Sequence, residues 1–130
     1  MENKLICLDT SVLIDFYRKK DKKKTYLYNL SITYSLFAIS SVTLFEIYIG
    51  SDESQMVFWE RFFSSKVILP FGNNTAKLAV EIDRKLKLQR KRIEIPDLFI
   101  AASAIEHKLP LATLNIKHFQ RIEDLELINI

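Results

Sequence analysis

The run Leu5-Ile6-Cys7-Leu8 stops at Asp9-Thr10-Ser11, and helical spacing begins at once with Val12, Leu13, Phe16 and Tyr17. A short unbroken apolar run reads as a strand buried on both faces, since a strand with one wet face would alternate. The same alternation of short apolar run and helix returns along the chain. Tyr34 to Ile39 is a second run, and Val42 to Ile49 continues as a helix ending at Gly50. Val67-Ile68-Leu69 is a third strand and Leu111-Ala112-Thr113 a fourth, with Leu125 to Ile130 expected as a fifth. Further helices are expected over Thr25 to Leu30, Met56 to Phe63 after an Asp52–Gln55 capping box, Thr75 to Lys91, and Leu98 to Ile105 behind Pro96. Buried strands separated by helices require an α/β domain with a parallel sheet covered on both faces.

The 130 residues suffice for one such domain. Only two glycines occur, neither in a phosphate loop, which excludes the dinucleotide and P-loop fingerprints. No apolar stretch is long enough for a membrane span, and Met1-Glu2-Asn3-Lys4 leads into the first run with no cleavage pattern. The lone Cys7 makes no intrachain disulfide and reads as a small core residue, so the expected compartment is the cytoplasm.

Charge is unevenly placed. Arg18 to Lys24 and Arg84 to Arg92 together carry +11, which leaves −8 on the rest of a chain of net charge +3. Two basic patches on an acidic body fit a polyanion held at its phosphates, although a solvated helix face and loop would look the same.

Ligands of open α/β sheets bind outside the carboxyl ends of the strands, where strand order reverses. Of the sixteen acids, three fall at such ends among apolar neighbours. Asp9 terminates the first strand, Glu46 lies in the helix after the second, and Asp97 opens the helix Leu98-Phe99-Ile100-Ala101-Ala102. Singly, Asp9 and Asp97 could be helix caps and Glu46 a solvated or lysine-paired acid. Converging, they would repel one another unless a cation neutralised them, and an all-oxygen set suits Mg²⁺ or Mn²⁺. No Cys/His cluster offers zinc a site, His107 and His118 lacking partners at ligand spacing. A Mg²⁺-type site beside basic patches points to phosphodiester hydrolysis.

Four segments carry a family resemblance: Leu8-Asp9-Thr10-Ser11-Val12-Leu13-Ile14-Asp15; Ile39-Ser40-Ser41-Val42-Thr43 with Glu46 and Gly50; Ile95-Pro96-Asp97-Leu98-Phe99-Ile100-Ala101-Ala102; and Leu111-Ala112-Thr113-Leu114-Asn115-Ile116-Lys117-His118-Phe119. In this order they resemble the PIN-domain family, specifically its VapC-type toxins of toxin–antitoxin pairs. The resemblance implies one PIN domain over residues 1–130, a three-layer sandwich whose central parallel sheet has four to five strands. It also implies Mg²⁺- or Mn²⁺-dependent endoribonuclease activity on RNA such as tRNA or rRNA, leaving 3′-hydroxyl and 5′-phosphate ends. A VapB-type antitoxin and a homodimer are the implied partners. Asp9, Glu46 and Asp97 match the family's metal-site acids. Where the family often has a further acid, this chain has Asn115 and His118. Asn115 is expected to ligate through its carbonyl or orient a water, and His118 to touch the scissile phosphate or pack in a loop. That departure keeps a non-catalytic RNA-binding or partner-binding module as the alternative. A receiver-like phosphoacceptor is a remote rival, because Asp9 has no acidic neighbour.

Other residues have blander expectations. Thr10 and Ser11 should cap the first helix, one hydroxyl also orienting Asp9, with Thr113 acting likewise from the fourth strand. Asp15 should pair with Arg18 or Lys19 at the surface. Phe58, Trp59, Phe62 and Phe63 should be core aromatics, with base stacking or a partner surface as alternatives.

Overall fold

The structure is a computed structural model and describes residues 2–128. Its four strands are all parallel: β1 (Glu2–Leu8), β2 (Tyr34–Ser40), β3 (Val67–Leu69) and β4 (Leu111–Ala112), in the order β3-β2-β1-β4. From β1 the chain works outward to β2 and β3 on one side, then returns to place β4 on the other. The order therefore reverses at β1, and the β1/β4 carboxyl ends form the crevice where α/β sheets place ligands.

Seven α-helices surround the sheet: α1 (Thr10–Arg18), α2 (Tyr26–Thr33), α3 (Ser41–Ile49), α4 (Glu53–Ser64), α5 (Asn73–Leu88), α6 (Ile95–Glu106) and α7 (Ile116–Phe119). The period-2 alternation of β1 sends its side chains into two cores. Ile6 and Leu8 pack with Val12, Leu13, Leu27, Leu30, Ile47, Trp59 and Phe63 of the first four helices. Cys7 packs instead with Ile82 and Leu86 of α5 and with Leu98, Ala101 and Ala102 of α6. These two cores and the sheet between them make the expected three layers. No described helix is long and apolar enough to cross a membrane.

The helix ends follow local chemistry. Thr25 caps α2 by accepting the Tyr28 N–H, and Asp52 with Gln55 forms the expected capping box on α4. Gly50 follows α3 with φ −91°, a conformation open to any residue. Asp15 does more than pair at the surface. It holds Lys19 at 2.9 Å and also accepts the Tyr26 N–H, which ties α2 to α1. Burial raises its proton affinity, but the Tyr26 N–H and Lys19 outweigh that and hold the carboxyl below its usual range. Cys7 is fully buried, and burial with the nearby Asp9 charge pushes its thiol pKa up to about 12. Trp59 and Phe63 are core as expected, with the Tyr17 ring tilted against Trp59 at 5.5 Å, while Phe58 stays at the rim.

Three expectations are corrected. The fifth strand reduces to a single parallel bridge, Leu111 to Leu127, where acids interrupt the apolar residues; positions 129 and 130 lie outside the described residues. The helix expected to reach Lys91 ends at Leu88, because Arg90 takes a left-handed conformation and turns the chain. The segment around His118, for which loop packing was one expectation, contains α7, four residues being too few to show a helical period.

Candidate active site

Asp9 marks the junction of β1 and α1. Its N–H donates to the Ala112 carbonyl at 2.9 Å, which extends the sheet by one rung, and its carbonyl then accepts the Val12 N–H as the helix begins. It occupies the cap position of α1, yet its carboxylate makes no cap bond. Oδ2 instead accepts two hydroxyls, Ser11 Oγ at 2.6 Å and Thr113 Oγ1 at 2.8 Å. Each hydroxyl is itself fixed by a backbone donor after β4, Leu114 N–H to Ser11 at 3.1 Å and Asn115 N–H to Thr113 at 2.9 Å. With both protons directed at one oxygen, Oδ1 has no hydrogen bond among the described residues. Burial of the residue to 1% exposure makes this arrangement rigid.

Glu46 comes from α3, the helix that follows the adjacent strand. β2 ends at Ser40, whose buried hydroxyl accepts the Thr43 N–H and starts α3. Thr10 Oγ1 donates to Glu46 Oε1 at 2.7 Å and lies 3.0 Å from Thr43 Oγ1. Thr10 thus orients Glu46, while Ser11 and Thr113 orient Asp9. Of the two hydroxyls expected to supply one for Asp9, Ser11 is that one, and Thr43 is an addition to the expected set. A hydroxyl after a strand end facing a hydroxyl one turn before Glu46 was the available signal.

Asp97 lies in the first turn of α6, behind Glu94 at the cap position and Pro96. It is half-buried, and His118 Nδ1 of α7 stands 3.3 Å from its Oδ2. His118 is therefore neither remote from the acids nor packed in a loop. Asn115 precedes α7 with an exposed side chain that makes no cap bond. His107 is separate, its ring beside the Ser103 carbonyl at the far end of α6.

The three acids share one electrostatic field. Burial pushes the Glu46 carboxyl above the usual range; Thr10 pulls against this, and the charges of Asp9 and Asp97 add to it. Burial likewise raises Asp97, Asp9 raises it further, His118 partly offsets both, and Glu94 adds a smaller push. Among the described residues no three His, Cys, Asp or Glu close around one point as a ready cage. The arrangement suits an ion that keeps part of its water shell, as Mg²⁺ does when bound by one or two carboxylates and a phosphate.

The two basic segments part company. Lys22 Nζ donates to the Phe16, Tyr17 and Lys19 carbonyls that end α1, and Lys19 bridges Asp15 and the Lys24 carbonyl. In the other segment Arg92 forks onto Asp83 at 3.1 and 3.2 Å and Lys85 reaches Asp124 at 3.5 Å, whereas Arg90 and Lys91 stay exposed.

The PIN domain family model matches residues 6–125. Curated relatives include Ribonuclease VapC of Rickettsia bellii, 32% identical with 96% of each chain covered, and Ribonuclease VapC1 of Rickettsia felis, 34% identical at the same coverage. Among solved structures, VapBC2 from Rickettsia felis bound to a promoter DNA fragment superposes with a TM-score of 0.82 at 29% identity, over 97% of this chain and 98% of that one. A family-model match over almost the whole length, with relatives above 30% identity and a solved structure of the same fold, establishes that the chain belongs to the PIN-domain family.

Proposed function

We propose that this chain is an endoribonuclease of the VapC toxin kind, hydrolysing RNA phosphodiester bonds at Asp9, Glu46 and Asp97 and restrained by a VapB-type antitoxin. The observation that carries the reading is the wiring of Asp9. Two hydroxyls hold one of its oxygens, the other is left without a bond, and two further acids with raised proton affinity stand beside it. Such raised affinities cluster where a cation or a proton has work to do. The ribonuclease names of the relatives, and the toxin–antitoxin complexes among the similar structures, support the substrate and the partner.

Asp9, Glu46 and Asp97 offer only hard carboxylate oxygens, a chemistry that fits a hard divalent ion, Mg²⁺ or Mn²⁺. Asp9, through Oδ1, and Asp97 would hold the ion, with Glu46 free for a second ion or for the proton of the attacking water. Such an ion, when bound, lowers the pKa of a water and offsets charge on the leaving oxygen. Ser11 and Thr113 keep Asp9 from turning, which sets where the phosphate must sit. Thr10 aims Glu46, whose raised proton affinity suits it to accept a proton. The water oxygen bonds to phosphorus as the P–O3′ bond breaks in line, and the 3′ oxygen takes a proton from solvent. His118 steadies Asp97, and Asn115 would orient a water.

The test is incubation of the purified chain, freed of any partner, with total cellular RNA in Mg²⁺, Mn²⁺ or EDTA, beside Asp97→Asn. Discrete fragments that need metal and disappear in the variant are expected. RNA that is bound yet stays intact in every sample would move the assignment to a non-catalytic binding module. A co-purifying basic or acidic small protein that silences cleavage would identify the antitoxin.

A further inference from the structure

Arg90, the turn residue after α5, has φ 57°, in the left-handed region that glycine occupies at least cost. The hydrogen bonds there are those of a helix-ending turn, Arg90 N–H to the Lys87 carbonyl at 3.1 Å and Lys91 N–H to the Leu86 carbonyl at 2.8 Å. The chain therefore keeps an arginine where its backbone would prefer no side chain at all. That side chain lines an open cleft with Lys91, Lys117, Gln120 and Arg121, a lining that contains no acid. Arg90, Lys91 and Lys117 form no ion pair among the described residues, and Arg121 is anchored by its bond to the Arg92 carbonyl at 3.1 Å.

Arg121 also lines a second cleft beside the first, with Arg92, Glu94 and His118. His118 in turn touches Asp97. Cations without an ion pair thus line the cleft from the α5 turn to Arg121, and Arg121 shares the next cleft with His118 at the acidic site. In the Arg18–Lys24 segment, by contrast, Lys19 and Lys22 are engaged with their own chain, and the cleft that Lys19 and Lys24 line also holds the acid Asp15. We propose that Arg90, Lys91, Lys117 and Arg121 form a phosphate-binding track that holds single-stranded RNA on the α7 side of Asp97, next to the bond to be cut. Single strands suit it, because an exposed flexible backbone can follow a groove of cations and contact each in turn. The proposal rests on the ribonuclease reading for the identity of the strand.

The fold supplies a matched control. Lys108, after α6, has φ 55° and the same turn, but it lies past the end of that helix opposite Asp97, roughly 17 Å along its axis. Arg90→Gly and Lys108→Gly each remove one positive charge and relax one left-handed residue. The experiment titrates a fluorescein-labelled single-stranded RNA of mixed sequence, and the DNA of the same sequence, into each protein in EDTA at several salt concentrations. Both variants should melt at or above the wild-type temperature. Arg90→Gly and Lys117→Ala should each weaken RNA binding about fivefold and flatten the log–log salt dependence by about 0.7, the loss of one phosphate contact. Lys108→Gly should bind as wild type does.

Equal loss in Arg90→Gly and Lys108→Gly would overturn the track, leaving only a general charge effect. Unchanged binding in Arg90→Gly and Lys117→Ala would also overturn it, while metal-dependent cleavage lost in Asp97→Asn would keep the ribonuclease reading intact. Tighter binding of the DNA than of the RNA would overturn the assigned strand. Cleft-dependent RNA binding by a wild-type protein that cuts no RNA would uphold the track and remove the nuclease.

Discussion

The two sides of the acidic site are built to opposite specifications. Asp9 is sealed at 1% exposure and held by two hydroxyls, each locked in turn by a backbone N–H. Asp97 is half-buried, and its partner His118 has a side chain 47% exposed on a helix of one turn. One acid is fixed by hydroxyls anchored to the paired β1 and β4 ends, the other by a side chain free to leave. The difference suggests a division of labour: Asp9 sets the position of the reacting group, and Asp97 adjusts to whatever arrives. Pre-organised dipoles are effective because nothing has to be reoriented when charge develops.

Replacing the fixed acid should therefore do the most damage. Asp9→Asn should lower the cleavage rate about 10³-fold or more, measured on a defined RNA in Mg²⁺. Retention of a tenth of the rate would remove Asp9 from the centre of the site. Thr113→Val comes next. The change keeps the shape but removes one donor to Asp9 and leaves the Asn115 N–H without its partner. A loss of about 10–100-fold in rate or metal affinity is expected, as is usual for groups that orient a ligand. Thr113→Ser should recover most of it, which a purely steric defect would not allow. The stability cost should be about 1–2 kcal/mol by chemical denaturation.

The mutual repulsion of the acids should be visible without any substrate. Glu46 and Asp97 both have carboxyl pKa values raised in the folded chain. The folded state then binds protons more tightly than the unfolded one. Without metal, stability should rise as pH falls from neutrality through the raised range, and level off below the ordinary carboxylate range near 4. The melting temperature in EDTA should accordingly climb on mild acidification, before other carboxylates are protonated. Mg²⁺ should raise the melting temperature at pH 7, with less effect at lower pH where protons compete. Asp97→Asn should flatten both responses. An equal Mg²⁺ shift in Asp97→Asn would show the ion binding elsewhere.

How much of this was legible in the chain depends on the range of the interactions. The strands, the capping box and the strand-end position of Asp9 rest on contiguous residues, so pattern and spacing sufficed. Asp97 was legible through Pro96 and the apolar helix behind it. The wiring was not, because Thr113 reaches Asp9 only once β4 has paired with β1, across 104 positions of sequence. The partner of Thr10 was hidden for a related reason. Helix α1 turns its hydroxyl toward α3, and the direction of a side chain at a strand–helix junction cannot be read from its neighbours. The charge runs also needed the structure, since Arg18–Lys24 and Arg84–Arg92 look alike in composition and differ in what some of their nitrogens touch.

The smallest effect should come from the other side of the comparison. His118→Ala removes the one group that offsets the burial of Asp97 and the charge of Asp9. The Asp97 carboxyl should then rise further, so the variant should need more Mg²⁺ for half-maximal cleavage. At saturating Mg²⁺ the ion does the same neutralising work, and the rate should fall no more than a few-fold. An exposed pair contributes little because solvent screens it and both partners lose freedom in forming it. A loss larger than that of Thr113→Val, persisting at saturating metal, would invert the comparison. It would mean that His118 acts on the phosphate itself, with Asp97 serving to aim the ring.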